Sequence, residues 1–281
     1  MSTHHSDEHS YVLGTHDAEI ARLGVQHRVW RPSVLELWRQ AGITQNQTVI
    51  DAGAGPGHAT LDLAEIVGPQ GRVIALERSR RFLDALAVNS RARGLANIET
   101  HEADLLDYPW PEEVADRIWC RWVLAFLPDP AKALRGMARA LKPGGKLLLH
   151  EYFDYACWRL APHSAPFEAY VAKIIARWRA SGGDPDIGLA LPQLLPDAGF
   201  RIESARPVVF AARMSDFASR WPMGFAREHL AMMRDAGDAG AEECAEITAV
   251  LDRYEADSEA LVITPGVLQI VASKQPDPPV P

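Results

Sequence analysis

The sequence has little of what staples small secreted or metal-bound folds. Cysteine is scarce: Cys120, Cys157 and Cys244 are the three in 281 residues, far apart and without the paired spacing of a zinc or redox motif. They read as core thiols of a reducing compartment. No apolar run approaches the roughly 18 residues of a membrane-spanning helix, and the N-terminus lacks a signal-peptide apolar segment. The expectation is a cytoplasmic protein with no membrane partner. Positive charge is also short. With 29 Lys and Arg against 37 Asp and Glu, the formal charge is −8, whereas a nucleic-acid or anionic-membrane partner would call for a basic face. There is no internal repeat. His4, His5 and His9 sit in a polar N-terminal stretch that reads as a frayed terminus, and no metal is expected.

What is present is a large apolar fraction, 47%, enough for one α/β core and an accessory part. The stretch Thr48-Val-Ile-Asp-Ala-Gly-Ala-Gly-Pro-Gly57 organises the rest. A short β-branched run ends in Asp51, and Gly53, Gly55 and Gly57 follow at alternate positions before a helix-period segment opens at His58. Strand, tight turn and helix start are the consequence. Glycines there allow positive φ and close approach of backbone to a ligand, beside the free N–H groups of a helix start. The next strand, Arg72 to Glu77, delivers a second acid to the same sheet edge, where a carboxylate can accept two ribose hydroxyls. On these features alone, a nicotinamide-dependent oxidoreductase fits as well.

The glycine spacing separates the readings. A dinucleotide site has G-x-G-x-x-G, whereas Asp51-Ala-Gly-Ala-Gly-Pro-Gly57 has an acid followed by x-G-x-G-x-G. This resembles the first motif of class I S-adenosylmethionine-dependent methyltransferases. The block from Asp116-Arg-Ile-Trp-Cys-Arg121 through Phe126-Leu-Pro-Asp-Pro130 and Leu141-Lys-Pro-Gly-Gly145 to the strand Lys146–His150 is similar to that family's fourth and fifth motifs. The resemblance spans about residues 45 to 153. It implies an α/β fold, a doubly wound, mostly parallel sheet of seven strands with a helical cap. The third strand is placed at Ile98–Asp104, the sixth at Phe200–Ser204, and an antiparallel seventh at Gly266–Ser273. Two helices are expected before the sheet, one capped by Thr15 and one starting near Pro32. Ser79 and Asp129 read as helix caps, and Gly144-Gly145 as the stop of the helix after Pro130. The expected organisation is residues 1–44 as an N-terminal helical lid, 45–153 as the cofactor-binding core, and 154–281 as helical cap insertions with the last two strands.

The resemblance implies S-adenosyl-L-methionine as cofactor, held by Asp51, Gly53, Ala54, Gly55, Gly57, Glu77, Arg78, Asp104, Leu105, Arg121 and Trp122, with Tyr11 and Gln26 reaching it from the N-terminal helices. In that family the acid at Asp104 reads the adenine amine, with the N–H of Leu105 beside it. The acceptor is expected to be a small molecule under an apolar lid carrying Tyr152, Trp158, Phe167, Trp178, Trp221, Phe225 and His229; the same residues also suit the lid's own core. Should the acceptor have a proton to lose, His150 and Glu151 are candidate bases, and Arg121 a holder of a carboxylate. A homodimer is compatible with the sequence. A cofactor-binding protein that transfers no methyl group, or a cyclase on the same fold, is compatible too, because the diagnostic residues concern the cofactor and not the acceptor.

Overall fold

The structure is a computed structural model that describes residues 16–276. The chain opens on α1 (Asp17–Gln40), then alternates β1 (Thr48–Ala52), α2 (His58–Val67), β2 (Arg72–Glu77), α3 (Arg80–Ala92), β3 (Ile98–Glu102), β4 (Ala115–Arg121), α4 (Pro130–Ala140) and β5 (Leu141–Asp154). After these come β6 (Arg159–Ala161), α5 (Ala165–Ala180), α6 (Leu191–Asp197), β7 (Phe200–Val208), β8 (Ala211–Arg213), α7 (Arg220–Asp235), α8 (Ala241–Ala256), β9 (Leu261–Ile263) and β10 (Gly266–Lys274). Seven strands form one sheet in the order β3-β2-β1-β4-β5-β10-β7. The first five are parallel, and β10 runs antiparallel to both β5 and β7. This is the expected doubly wound sheet, with its antiparallel strand next to the edge.

Parallel strands covered on both faces should read as continuous apolar runs. In β4, Ile118, Trp119 and Cys120 are all fully buried. On one face, Ile118, Cys120, Leu147 and Leu149 pack with Leu134 and Met137 of α4 and Leu191 and Leu195 of α6. Trp119, on the other face, meets Trp38 of α1 edge to face at 5.3 Å. Local chemistry sets the helix starts. Ser79 accepts the N–H of Phe82, and Asp129 accepts that of Lys132 with Pro130 in the first turn, as capping requires.

Several expectations need correction. The two N-terminal helices are one, α1, with Pro32 inside it. Proline ends helices by removing an N–H and crowding the preceding turn, but burial of Trp30, Val34, Leu37 and Trp38 along this helix outweighs that local preference. Thr15 lies outside the described residues; the first turn is capped instead by His16, whose Nδ1 accepts the N–H of Glu19. Helix α4 stops at Ala140, and Gly144-Gly145 falls within β5. Strand β3 ends at Glu102, paired with Glu77, so Asp104 stands in the following loop rather than on a strand end. The short strands β6, β9 and β8 form a separate three-stranded sheet that three-residue runs gave no period to reveal.

Two compact units result. One contains the described residues up to Arg31, Trp158–Tyr170 and Phe210–Thr264, including the small sheet; the other contains Pro32–Cys157, Val171–Val209 and the described residues from Pro265 on. Among the described residues no helix is long and apolar enough to cross a membrane. Trp119→Ala should lower unfolding free energy by about 3–5 kcal/mol, and Asp129→Ala by about 1 kcal/mol through loss of its cap. Urea denaturation checks both values and their order.

Candidate cofactor site

The site grows from the turn between β1 and α2. Gly53, Gly55 and Gly57 have φ of 77, 55 and 83°, the left-handed region that side chains rarely adopt. Space matters as much as torsion. A Cβ on Gly53 would lie 2.2 Å from Cγ2 of Val123, and one on Gly57 would lie 2.3 Å from Cδ1 of Leu86. A Cβ on Gly55 would meet nothing within 4 Å. Two glycines are therefore required by close packing, while the middle one faces open space. The N–H groups of Gly53 and Ala54 are bound to the carbonyl of Leu76, which ties the turn to β2.

Two acids flank the turn. Asp51 is buried and accepts the hydroxyl of Thr60 at 2.6 Å. Burial pushes its pKa up to about 6, against the hydrogen bond from Thr60 and the charge of Arg121. Glu77 receives the N–H of Gly55 on Oε2 at 2.9 Å and that of Ser79 on Oε1 at 2.8 Å. Its carboxyl is raised by burial, with the Ser79 and Gly55 bonds opposing. Each carboxylate oxygen has two lone pairs, so Glu77 shapes the turn and retains acceptor capacity for a diol. Arg78 is exposed, and Asp104 is exposed with Oδ1 accepting the N–H of Leu106. Leu105 is buried, and its carbonyl takes the indole N–H of Trp110. Open space at Gly55, an acceptor-rich Glu77 and an exposed Asp104 fit a nucleoside.

At the end of β4 the backbone turns at Trp122, which has φ 52°, a conformation that costs a bulky residue about 1–3 kcal/mol. The three residues His150, Glu151 and Tyr152 of β5 all bear on this corner. The carbonyl of His150 accepts the N–H of Trp122 at 3.1 Å, and its ring stands edge-on to the indole at 5.0 Å. Oε1 of Glu151 accepts the N–H groups of Val123 and Leu124 at 2.9 and 3.0 Å. Tyr152 stacks on Trp122, ring centroids 5.2 Å apart at 14°. Tyr152 and Trp178, both read as acceptor residues, come together with Tyr155 and Phe126, the last stacked on Trp178 at 4.6 Å.

Burial changes the standing of the candidate bases. His150 is fully buried, and burial together with the Arg121 charge holds its pKa well below the usual range, so the ring is neutral. Its Nδ1 lies 3.3 Å from Nε2 of Gln269, which also donates to the Ser33 hydroxyl at 2.9 Å. Glu151 is pushed up to about 8 by burial, against the N–H groups of Val123, Leu124 and Ala125. Arg121 is lowered to about 10 by burial, opposed by Asp51, Tyr152 and Asp62, and stays protonated near neutrality.

The remaining candidates lie in the other unit. Gln26 Oε1 accepts from Nη1 of Arg22 at 3.1 Å and from the indole N–H of Trp221 at 2.9 Å, while Arg22 is paired in two-pronged fashion with buried Glu19. Trp158 meets Phe167 edge to face at 5.3 Å and Phe225 at 5.7 Å, and His229 packs on Phe225 at 5.4 Å. These side chains have places in the core of that unit. Tyr11 lies outside the described residues. Sequence reasoning missed Thr60, Val123 and Gln269; only Gln269, a lone amide in the apolar run of β10, left a signal.

Sheet order, glycine turn and flanking acids define the class I S-adenosylmethionine-dependent methyltransferase fold, and the comparisons agree. Residues 43–174, a little under half of the chain, match the family described as Methyltransferase domain, in agreement with the class I S-adenosylmethionine-dependent methyltransferase fold. It is 33% identical over 152 residues to the ubiquinone/menaquinone biosynthesis C-methyltransferase UbiE of Proteus mirabilis, a match covering 54% of this chain and 58% of that relative's length. Among solved structures, geranyl diphosphate C-methyltransferase from Streptomyces coelicolor aligns with a TM-score of 0.56 and 16% identity over 96% of this chain and 86% of its own. The cyclase SpnF aligns with a TM-score of 0.56 and 21% identity over 87% of this chain and 81% of its own. At such identities these two show the fold.

Two tests follow from the packing. Gly53→Ala should destabilise the protein, by the contact with Val123 and by its φ. Adding Val123→Ala removes the Cγ atoms, and the double variant should recover part of the loss. A denaturation double-mutant cycle reads this coupling, and additive effects would show that the contact is not tight. The second test concerns pH. Since folding raises the Glu151 pKa from about 4.3 in the unfolded chain to about 8, its contribution is fully present below the unfolded value and is lost as pH rises through the folded one. Glu151→Gln, neutral throughout, should therefore gain stability relative to the parent between about pH 5 and 8, as read by thermal unfolding across that range.

Proposed function

We propose that the protein transfers a methyl group from S-adenosyl-L-methionine to a small-molecule acceptor at the carboxyl edge of β1, β2 and β4. The observation that carries this reading is the turn open at Gly55 and bounded by Glu77, beside an exposed Asp104. When bound, the cofactor supplies an electrophilic methyl on a sulfonium sulfur. The chain's own work is then to bind, orient and exclude water. Gly53, Ala54, Gly55 and Gly57 supply the backbone surface, Glu77 accepts the ribose hydroxyls, and Asp104 and Leu105 read the adenine. Arg78, exposed directly after Glu77, belongs to the proposal as a further cofactor contact.

Arg121, protonated, half-buried and within the electrostatic reach of Asp51, supplies a positive charge for a carboxylate. Trp122, Tyr152 and Trp178 offer π surface to a flat, partly apolar acceptor. Neither His150 nor Glu151 suits base catalysis: one is a neutral ring enclosed among aromatics, and the other has Oε1 committed to two backbone N–H groups. An acceptor that is nucleophilic without enzymatic deprotonation, or that loses its proton to water, suits such an edge. Carbon methylation is the first reaction to examine, since the matched relative's name states a C-methyltransferase.

The test is transfer of labelled methyl from S-adenosylmethionine to phenols, quinols, amines and 2-oxo acids, read by mass shift. One class should gain a methyl group, and Glu77→Ala should raise the cofactor KM at least about tenfold, the factor for roughly 1.4 kcal/mol. No transfer to any acceptor, with the cofactor nevertheless bound, would favour a non-methylating protein on the same fold.

A further inference from the structure

Glu151 sits where a general base would be sought, at the carboxyl end of β5, yet its geometry describes another task. It is fully buried, and its Oε1 is shared by two consecutive backbone N–H groups, those of Val123 and Leu124, immediately after the left-handed residue Trp122. Two N–H groups converging on one oxygen fix the direction in which the chain leaves the corner. Val123 is thereby held against the glycine turn, with its Cγ2 2.2 Å from the position of a Cβ on Gly53. The corner after β4 and the turn after β1 are shaped to one another. Moving the first would reshape the second.

Resting on the cofactor reading given above, we infer that Glu151 is a positioning residue: by accepting the N–H groups of Val123 and Leu124 it sets the Trp122 corner, and through the Val123–Gly53 contact it sets the shape of the nucleoside-binding turn. The carboxyl does not take a proton from the acceptor. What the site needs at residue 151 is an oxygen acceptor at the reach of a glutamate side chain, not a charge. A glutamine carbonyl meets that requirement, since one sp² oxygen has two lone pairs for two donors. Alanine provides no acceptor, and aspartate falls a methylene short.

Calorimetric titration with S-adenosylhomocysteine, at a temperature where each variant is folded by circular dichroism, tests this without an acceptor or turnover. Glu151→Gln should bind within about twofold of the parent, whereas Glu151→Ala should bind at least tenfold more weakly. Should the alanine variant not fold, Glu151→Asp serves in its place, with a loss of at least fivefold expected. Parent-like affinity in the alanine or aspartate variant overturns the inference. So does a glutamine variant as weak as alanine, because the carboxyl itself, and not an acceptor, would then be required. If the folded parent fails to bind S-adenosylhomocysteine, the cofactor reading fails; if the parent binds and the variants behave alike, only the positioning role does.

Discussion

The close contact between the Gly53 turn and Val123 is the constraint on which the site depends. A single Cβ at Gly53 would collide with Val123, so the first turn and the corner at the end of β4 pack together without room for a side chain between them. That corner is held from β5 by the carbonyl of His150 and the carboxyl of Glu151. Three adjacent parallel strands thus fix one surface: β1 provides the glycines, β4 the corner, and β5 the acceptors that hold it. Glu77 at the end of β2 closes the arrangement by taking the N–H of Gly55. In open α/β sheets a ligand belongs at the carboxyl ends of the strands, and here those ends are fastened to one another rather than left as independent loops.

Buried polar groups at this edge contribute through form rather than reactivity. His150 is kept neutral by burial and by Arg121, Glu151 and Asp51 are pushed toward their protonated forms, and Arg121 remains a cation. Perturbed pKa values mark functional sites often enough to be useful, but a perturbed group need not move protons. Asp51 is tied to Thr60, and Oε1 of Glu151 to backbone N–H groups; these hydrogen bonds offset part of the cost of burial and help define the shapes of the two turns. The proposed methyl transfer at a sulfonium carbon makes few demands on acid–base chemistry and many on alignment, and fixed turns suit that requirement.

The sheet was legible because its signals are local. Alternate glycines, an acid behind each of the first two strands, Ser79 and Asp129 as caps, and the apolar run of β10 each translate directly into backbone geometry. The candidate site was legible where a side chain lies at its own strand end, as Glu77 does beside the glycine turn. It was not legible where the shape of the turns rests on contacts distant in sequence. Nothing in Val123 announces its contact with Gly53, nor does Glu151 announce that it binds the backbone 28 residues earlier. The N-terminal helix was broken at Pro32 by a sound local rule that burial on both sides overrode. Likewise, the aromatic residues Trp158, Phe167 and Phe225 show in sequence only that they are apolar; their mutual packing is a tertiary fact.

The most direct measurement is a crystal structure of the protein with S-adenosylhomocysteine. The expected result places the nucleoside along Gly53–Gly57, with its ribose hydroxyls about 3 Å from the Glu77 carboxylate and its adenine beside Asp104 and Leu105. A nucleoside bound elsewhere, with Glu77 bonded only to Gly55 and Ser79, would contradict the central claim.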